Sequence, residues 1–209
     1  MATRPAWTIR EGAIVSRDFD FFWNGGFALS QKQKNIRNLH QAIEQATGGN
    51  ALEVSSKSHI ELGRRLSAFS LKLNNVYLEN IFQSSKKYEN GGPYIDLLGV
   101  EPKDAKRDER HRTSGKLLAF VKDGIEWPLE PKTAFYDYLY IMAVIENFGY
   151  DLDLSAYSWF TDNIEFNPQK SINCQARSTA IYKLLQEKKM FDAINDKYSW
   201  KEFHRKYIT

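Results

Sequence analysis

Pro131-Lys132-Thr133-Ala134-Phe135-Tyr136-Asp137-Tyr138-Leu139-Tyr140-Ile141-Met142-Ala143-Val144-Ile145-Glu146-Asn147-Phe148 reads as one long helix. Phe135, Tyr138, Leu139, Met142, Ile145 and Phe148 form an apolar stripe at helical spacing. A helix with so many large apolar residues has to be covered by others, so it is expected at the centre of the core. After it, residues 150 to 173 are mixed and irregular. A further helix is expected over 175 to 189, and the tail from 190 to 207 is helical, aromatic and basic.

Upstream, Leu117 to Val121 is apolar and Asp123-Gly124 turns the chain. Residues 101 to 116 are the most charged part. Lys103, Lys106, Arg107, Arg110, Arg112 and Lys116 stand there against Glu101, Asp104, Asp108 and Glu109. Residues 94 to 99 suit a short helix. A helix over about 78 to 88 ends at Glu89-Asn90-Gly91-Gly92-Pro93, and 69 to 77 is irregular or extended with a turn at Asn74-Asn75. Ser58 starts another helix, and Ala51 to Val54 suits a short strand. Ser30 is the expected N-cap of a helix over 31 to 46. Ala13 to Val15 and Asp18 to Trp23 suit short strands before the Asn24-Gly25-Gly26 turn. The expected fold is mainly α, of the α+β class: one helical domain with a few short N-terminal strands. Residues 1–60 are expected to form an N-terminal extension packed on a main domain of residues 61–209.

The 209 residues carry 29 basic and 26 acidic side chains, a net charge of +3. That is too mild to mark a nucleic-acid binder by charge alone, although clustering of the cations would still attract a polyanion. Aromatics make up 14% of the chain; most are expected in the core, and an excess is also what a site that stacks on bases or sugars uses. Cys174 is the single cysteine, so no intrachain disulfide forms, and a cytoplasmic location is expected. His40, His59, His111 and His204 are scattered without metal-ligand spacing, so neither a metal nor another cofactor is expected. No signal peptide and no apolar run of membrane-spanning length is seen, and no membrane partner is expected.

Glu79, Gln83 and Lys86 stand at i, i+4 and i+7. On a helix they share one face, with Leu78, Ile81 and Phe82 on the buried side. The same pattern also describes a solvated polar strip. Chemistry needs enclosure, because a lysine becomes a nucleophile at neutral pH only when burial lowers its pKa.

Two ordered motifs separate these readings. Leu66-Ser67-Ala68-Phe69-Ser70-Leu71 and Glu79-Asn80-Ile81-Phe82-Gln83-Ser84-Ser85-Lys86 resemble paired motifs of the NADAR family, with Ala68 in place of the usual asparagine and Leu71 near the usual proline. Glu101 to Lys106 and Trp127 before the long helix are similar to later family segments. The resemblance covers about 60 to 190. Residues Phe22 to Ile36, and Ile172 to Arg177, resemble the subgroup that accompanies DarT-type DNA ADP-ribosyltransferase toxins.

This resemblance implies a NADAR-like catalytic domain and an antitoxin. Its expected activity is removal of ADP-ribose from guanine in DNA, cutting between the anomeric carbon and the exocyclic amine. The expected partners are ADP-ribosylated DNA, single-stranded or locally opened, and the cognate toxin. Lys86 is expected beside the reacting sugar, as an imine-forming nucleophile, with Glu79 in acid/base work or ribose binding. Ser67 and Gln83 are expected to hydrogen-bond ribose or phosphate, and Phe69 and Trp127 to stack on a base, core packing being their alternative. Arg107, Arg110, Arg112 and Arg177 are the choices for the pyrophosphate. The 103 to 116 loop, and the run Gln31 to Asn35, are alternatively DNA contacts or solvated surface. The C-terminal part departs most from the family, leaving Asp162, Glu165 and Asn173 as further candidates. Competing readings are an N-glycosidase on a small phosphorylated ribosylamine and a non-catalytic module that binds ADP-ribose or the toxin.

Overall fold

The protein is described by a computed structural model that covers residues 1–164 and 172–208. Glu165 falls outside the described residues. The chain is a single α+β domain, as its sequence pattern implies.

The N-terminus is more regular than the sequence pattern suggests. β1 (Ala2–Arg10) and β2 (Ala13–Phe21) form one antiparallel hairpin, with Arg10 opposite Ala13. Glu11 and Gly12 both take positive φ, 52° and 73°, which gives the two-residue turn whose twist matches the strands. α1 (Leu29–Thr47) follows and stops at Gly48, in the left-handed conformation that lets its N–H close on the Glu44 carbonyl. β3 (Ala51–Glu53) is buried throughout.

α2 (Glu61–Arg65), β4 (Lys72–Leu73) and β5 (Val76–Tyr77) lead to α3 (Leu78–Ser84). β6 (Lys86–Tyr88) begins two residues after α3 ends. A 3-10 turn at Ile95–Gly99, α4 (Pro102–Arg107) and α5 (Arg110–Thr113) fill the charged stretch. β7 (Leu117–Lys122) and β8 (Ile125–Pro128) join β6 in a three-stranded antiparallel sheet. The long central helix is α6 (Ala134–Phe148). β9 (Trp159–Thr161), α7 (Gln175–Lys188), a 3-10 turn at Phe191–Ile194 and α8 (Lys197–Tyr207) complete the described chain.

β9 lies in a stretch that reads as irregular, yet it is an interior strand. The larger sheet runs β2-β1-β9-β3, with β9 antiparallel to β1 and parallel to β3. Three of its strands come from residues before 60 and the fourth from after 150. Ala6, Phe19 and Phe21 face α1, against Leu39 and Ile43. Trp7, Ile14, Leu52 and Phe160 face the other way, into the main core with α6 and α7. Strand alternation therefore builds both layers from one sheet.

α6 is buried more widely than its apolar stripe implies. Phe135, Leu139, Tyr140, Ile141, Ala143 and Val144 are all in the core, and so is Asp137, at 0% exposed. Tyr138, Met142, Ile145 and Phe148 of the expected stripe pack only partly buried around it. The Asp137 carboxylate accepts from Ser178 Oγ at 2.5 Å, from His204 Nε2 at 3.0 Å, from Thr133 Oγ1 at 2.8 Å and from Arg177 at 3.2 Å. Burial alone raises its pKa, but Arg177, His204 and Ser178 outweigh that and hold it well below the usual carboxylate range. α7, α8 and the turn before α6 thus converge on one carboxylate. Asp137→Ala leaves Arg177 and His204 without it and is expected to lower stability by about 3–5 kcal/mol. Urea denaturation at constant m checks this. A loss under about 1 kcal/mol would mean that the cluster is not a structural hub.

Candidate functional site

α3 is buried along its whole length, polar residues included. Glu79 is 5% exposed and Gln83 4%. Buried polar groups must be paired, and these pair with each other. Gln83 Nε2 donates to Glu79 Oε1 at 2.8 Å, and Lys86 Nζ donates to Gln83 Oε1 at 2.6 Å. A solvated strip does not have this burial. The expected helix to 88 is corrected at this point. The helix ends at Ser84, and Lys86 opens β6. The lysine reaches Gln83 from a strand, so the i, i+7 spacing is not what brings the side chains together.

Three adjoining recesses surround this row. The first, of about 370 Å³, is lined by Lys86, Phe82, Phe120, Tyr136, Lys132 and Asn173 among others. A narrower recess of about 60 Å³ holds Glu79, Gln83, Lys106, Asp162 and Gln175. Phe82, Tyr136 and Asn173 belong to both. The third opens from the narrow one at Phe69 and Lys106.

Burial lowers the Lys86 pKa to about 8, aided by the nearby positive charge of Lys106 and opposed by Glu79. Its ammonium also lies 5.2 Å from the Phe82 ring centre. Lys106 Nζ stands 3.9 Å from Glu79 Oε1 and 5.2 Å from the Phe69 ring centre. α4, which carries Lys106, is tied down by His111. Its Nε2 is 2.9 Å from the Ala105 carbonyl and its Nδ1 is 3.0 Å from the Tyr88 hydroxyl. The carbonyl can only accept, so Nε2 donates and Nδ1 accepts from Tyr88. Tyr136 is held neutral by burial, with the charge of Glu79 adding to the effect, so it is a hydroxyl donor at the neck where the first two recesses meet.

Asp162 follows β9. Its Oδ2 accepts from the Gln175 backbone and side-chain nitrogens, both at 3.3 Å. Gln175 Oε1 accepts from the Ala68 N–H at 2.6 Å, so it ties the 66–71 motif to the Asp162 turn. Glu53, buried on β3, fixes the same turn from below. It accepts from Thr161 Oγ1 at 2.7 Å and from the N–H groups of Asn163 and Ile164 at 3.0 and 3.3 Å. Gly63 sits directly over the Glu53 carbonyl, where any Cβ would clash.

The remaining expected residues divide. Lys86, Glu79, Gln83, Phe69 and Asn173 line these recesses, and Arg107 lines the third. Ser67 is fully buried beneath them, its Oγ accepting from the Phe69 N–H at 3.3 Å. Trp127 is core, packed against Phe135 and Tyr138, and lines none of the three. Arg112 is exposed on α5. Arg177 is bound to Asp137, and Arg110 to Asp96 and Asp108. Tyr136, Gln175 and Phe120 are site residues that the sequence reading missed. Tyr136 and Phe120 are indistinguishable from core aromatics in the sequence, whereas Gln175 lies in the 172–177 stretch that resembles the subgroup but carries no individual role there. Among the described residues, no group of three or more His, Cys, Asp or Glu side chains is placed to hold a metal.

The electrostatics give a direct test. With Lys86 selectively observed by 13C NMR, its titration midpoint is expected at about 8. Lys106→Met removes a like charge and is expected to raise the midpoint, whereas Glu79→Gln removes the opposing charge and lowers it. Unchanged midpoints in both variants would show that these groups are not electrostatically coupled.

No curated protein matches the sequence. A model of the DarT1-associated NADAR antitoxin family matches residues 2–209, and the chain therefore belongs to that family.

Proposed function

We propose that this DarT1-associated antitoxin is an ADP-ribosyl glycohydrolase that removes ADP-ribose from guanine in DNA. The carrying observation is the enclosed row Lys86–Gln83–Glu79, in which burial brings the lysine pKa to about 8. A lysine of that pKa is neutral in roughly one molecule in ten at pH 7, enough to act as a nucleophile.

The anomeric carbon lies at the neck, within reach of Lys86. The neutral Nζ attacks it and the bond to the guanine amine breaks, the departing nitrogen taking a proton. Glu79 and Asp162 are the carboxyl groups in position for proton transfer. The ribose ring then opens as Nζ loses its proton, leaving an imine between Nζ and the former anomeric carbon. Water adds to the imine, the amine is expelled, and ADP-ribose closes again. One water is consumed and guanine is restored. The transition state carries oxocarbenium character, which the Glu79 carboxylate stabilises. The ADP part extends into the first recess, with Phe120 and Phe82 against the adenine and Lys132 beside the pyrophosphate. No arginine lines that recess, so the arginine fork expected from sequence gives way to lysine.

The decisive assay incubates the protein with a single-stranded oligonucleotide carrying ADP-ribosylated guanine and follows ADP-ribose release. Borohydride is expected to trap a covalent adduct on Lys86, and Lys86→Ala is expected to lose both adduct and release. Glu79→Gln is expected to slow release by about 10²–10⁴-fold. The rate of the chemical step rises with pH, because deprotonation makes the nucleophile. It climbs about tenfold per unit below pH 8 and levels off above it. Equal release by wild type and Lys86→Ala removes the lysine from the mechanism. No release by wild type, with cleavage of a small phosphorylated ribosylamine instead, overturns the DNA substrate.

A further inference from the structure

The third recess, of about 500 Å³, is lined by Lys32, Ser56, Lys57, Phe69, Lys103, Lys106, Arg107 and Ile164. Five of these eight are cations and none is acidic. They come from three separate parts of the chain: α1, the loop after β3, and α4. Lys32, Lys57, Lys103 and Arg107 have no ion-pair partner among the described residues, whereas Lys106 faces Glu79. The recess opens into the reaction neck at Phe69 and Lys106.

A second observation lies at the same end of α1. Phe27, five residues before Lys32, is 94% exposed, and Phe22 is 63% exposed. The loop bearing them is pinned. Buried Asn35 accepts from the Asn24 N–H at 2.6 Å and donates to the Asn24 carbonyl at 2.9 Å, while Asn38 donates to the Phe22 carbonyl at 2.7 Å. The start of this segment is thus fixed at Phe22 and Asn24, and Phe27 stands exposed just before the helix that carries Lys32.

We infer that the strand carrying the modified guanine runs along this cleft, its phosphates on Lys32, Lys57, Lys103 and Arg107 and a flanking base stacked on Phe27. This rests on the DNA-directed reading above and adds the path of the strand. A pyrophosphate diester carries one negative charge per phosphorus, so the four cations without an acidic partner exceed what it can neutralise. A phosphodiester chain supplies further charges at regular spacing. Lysines, which grip phosphate without strict geometry, suit backbone contacts independent of sequence. Stacking on an exposed aromatic beside a basic groove is how single strands are held without base preference. The strand is single at the site because a base attached to a ribose at Lys86 has to leave its stack to arrive there.

The test measures binding of a fluorescein-labelled, unmodified single-stranded oligonucleotide by anisotropy over a range of salt, for wild type, Lys57→Ala/Lys103→Ala and Phe27→Ala. Each phosphate contact contributes about 0.7 to the slope of log K against log salt for single strands. The double lysine variant is expected to bind at least tenfold more weakly and to lose about 1.4 from that slope. Phe27→Ala is expected to weaken binding about fivefold or more with the slope unchanged. Free ADP-ribose binding, measured by calorimetry, is expected to remain at the wild-type value in all variants. All substituted side chains have exposed or half-exposed positions, and far-UV circular dichroism with thermal melting verifies folding. Wild-type oligonucleotide affinity in both variants overturns the inference, as does a loss confined to ADP-ribose binding or to binding of the cognate toxin. Because the probe is unmodified, none of these outcomes depends on catalysis. Failure of the glycohydrolase reading appears instead as absent ADP-ribose release.

Discussion

The buried carboxylate of Asp137 is the constraint on which the arrangement around the cavity depends. It is fully enclosed in the central helix, and isolation there would be prohibitive. Arg177 and Ser178 on α7, His204 on α8 and Thr133 before α6 surround it. Those contacts fix the rotation of α6. One residue earlier along the helix, about 100° around the axis, Tyr136 is turned toward the neck of the cavity. Asp137 thereby uses up an arginine that the sequence offered for the substrate and secures a tyrosine that it did not.

A second carboxylate does comparable work at the sheet. Glu53 on β3 holds the turn after β9, and that turn carries Asp162 to the narrow recess. The parallel pairing of β3 with β9 puts the two residues together from 109 positions apart. Gln175 then links the turn to Ala68. The alanine that replaces the family's asparagine is therefore held by its backbone, with the polar contact supplied by a glutamine from α7. The departure at that position and the divergence of the C-terminal region meet at one place in the structure.

The paired motifs at 66–71 and 79–86, together with the flanking segments, carried the family and the polar row Glu79, Gln83 and Lys86 in the sequence. Burial of Glu79 and Gln83 is what turns that row from a surface pattern into an enclosed relay. The large core helix was equally legible, because an apolar stripe that long has few alternatives. β9 was not. Three residues, Trp159–Thr161, give no periodicity, and they are a strand only because β1 and β3 offer them hydrogen-bonding edges. Trp127 and Phe120 show the matching ambiguity for aromatics. They are cross-strand partners on one face of the sheet, both packed against Phe135, yet Phe120 lines the cavity and Trp127 does not.

Sequence by itself determined the α+β class, the family and the chemical types gathered at 79–86, since these depend on local pattern and on motifs in order. Tertiary structure alone decided which charges are available to a ligand. Arg110 and Arg177 are neutralised by carboxylates that fold against them, whereas Lys32, Lys57, Lys103 and Arg107 converge from distant segments into a cleft lined by no acid among the described residues. Pairing energies depend on distance and burial, and neither is encoded by a residue's neighbours in the chain. The lysine at 86 makes the same point: its identity is written in the sequence, and its lowered pKa comes only from what is packed around it.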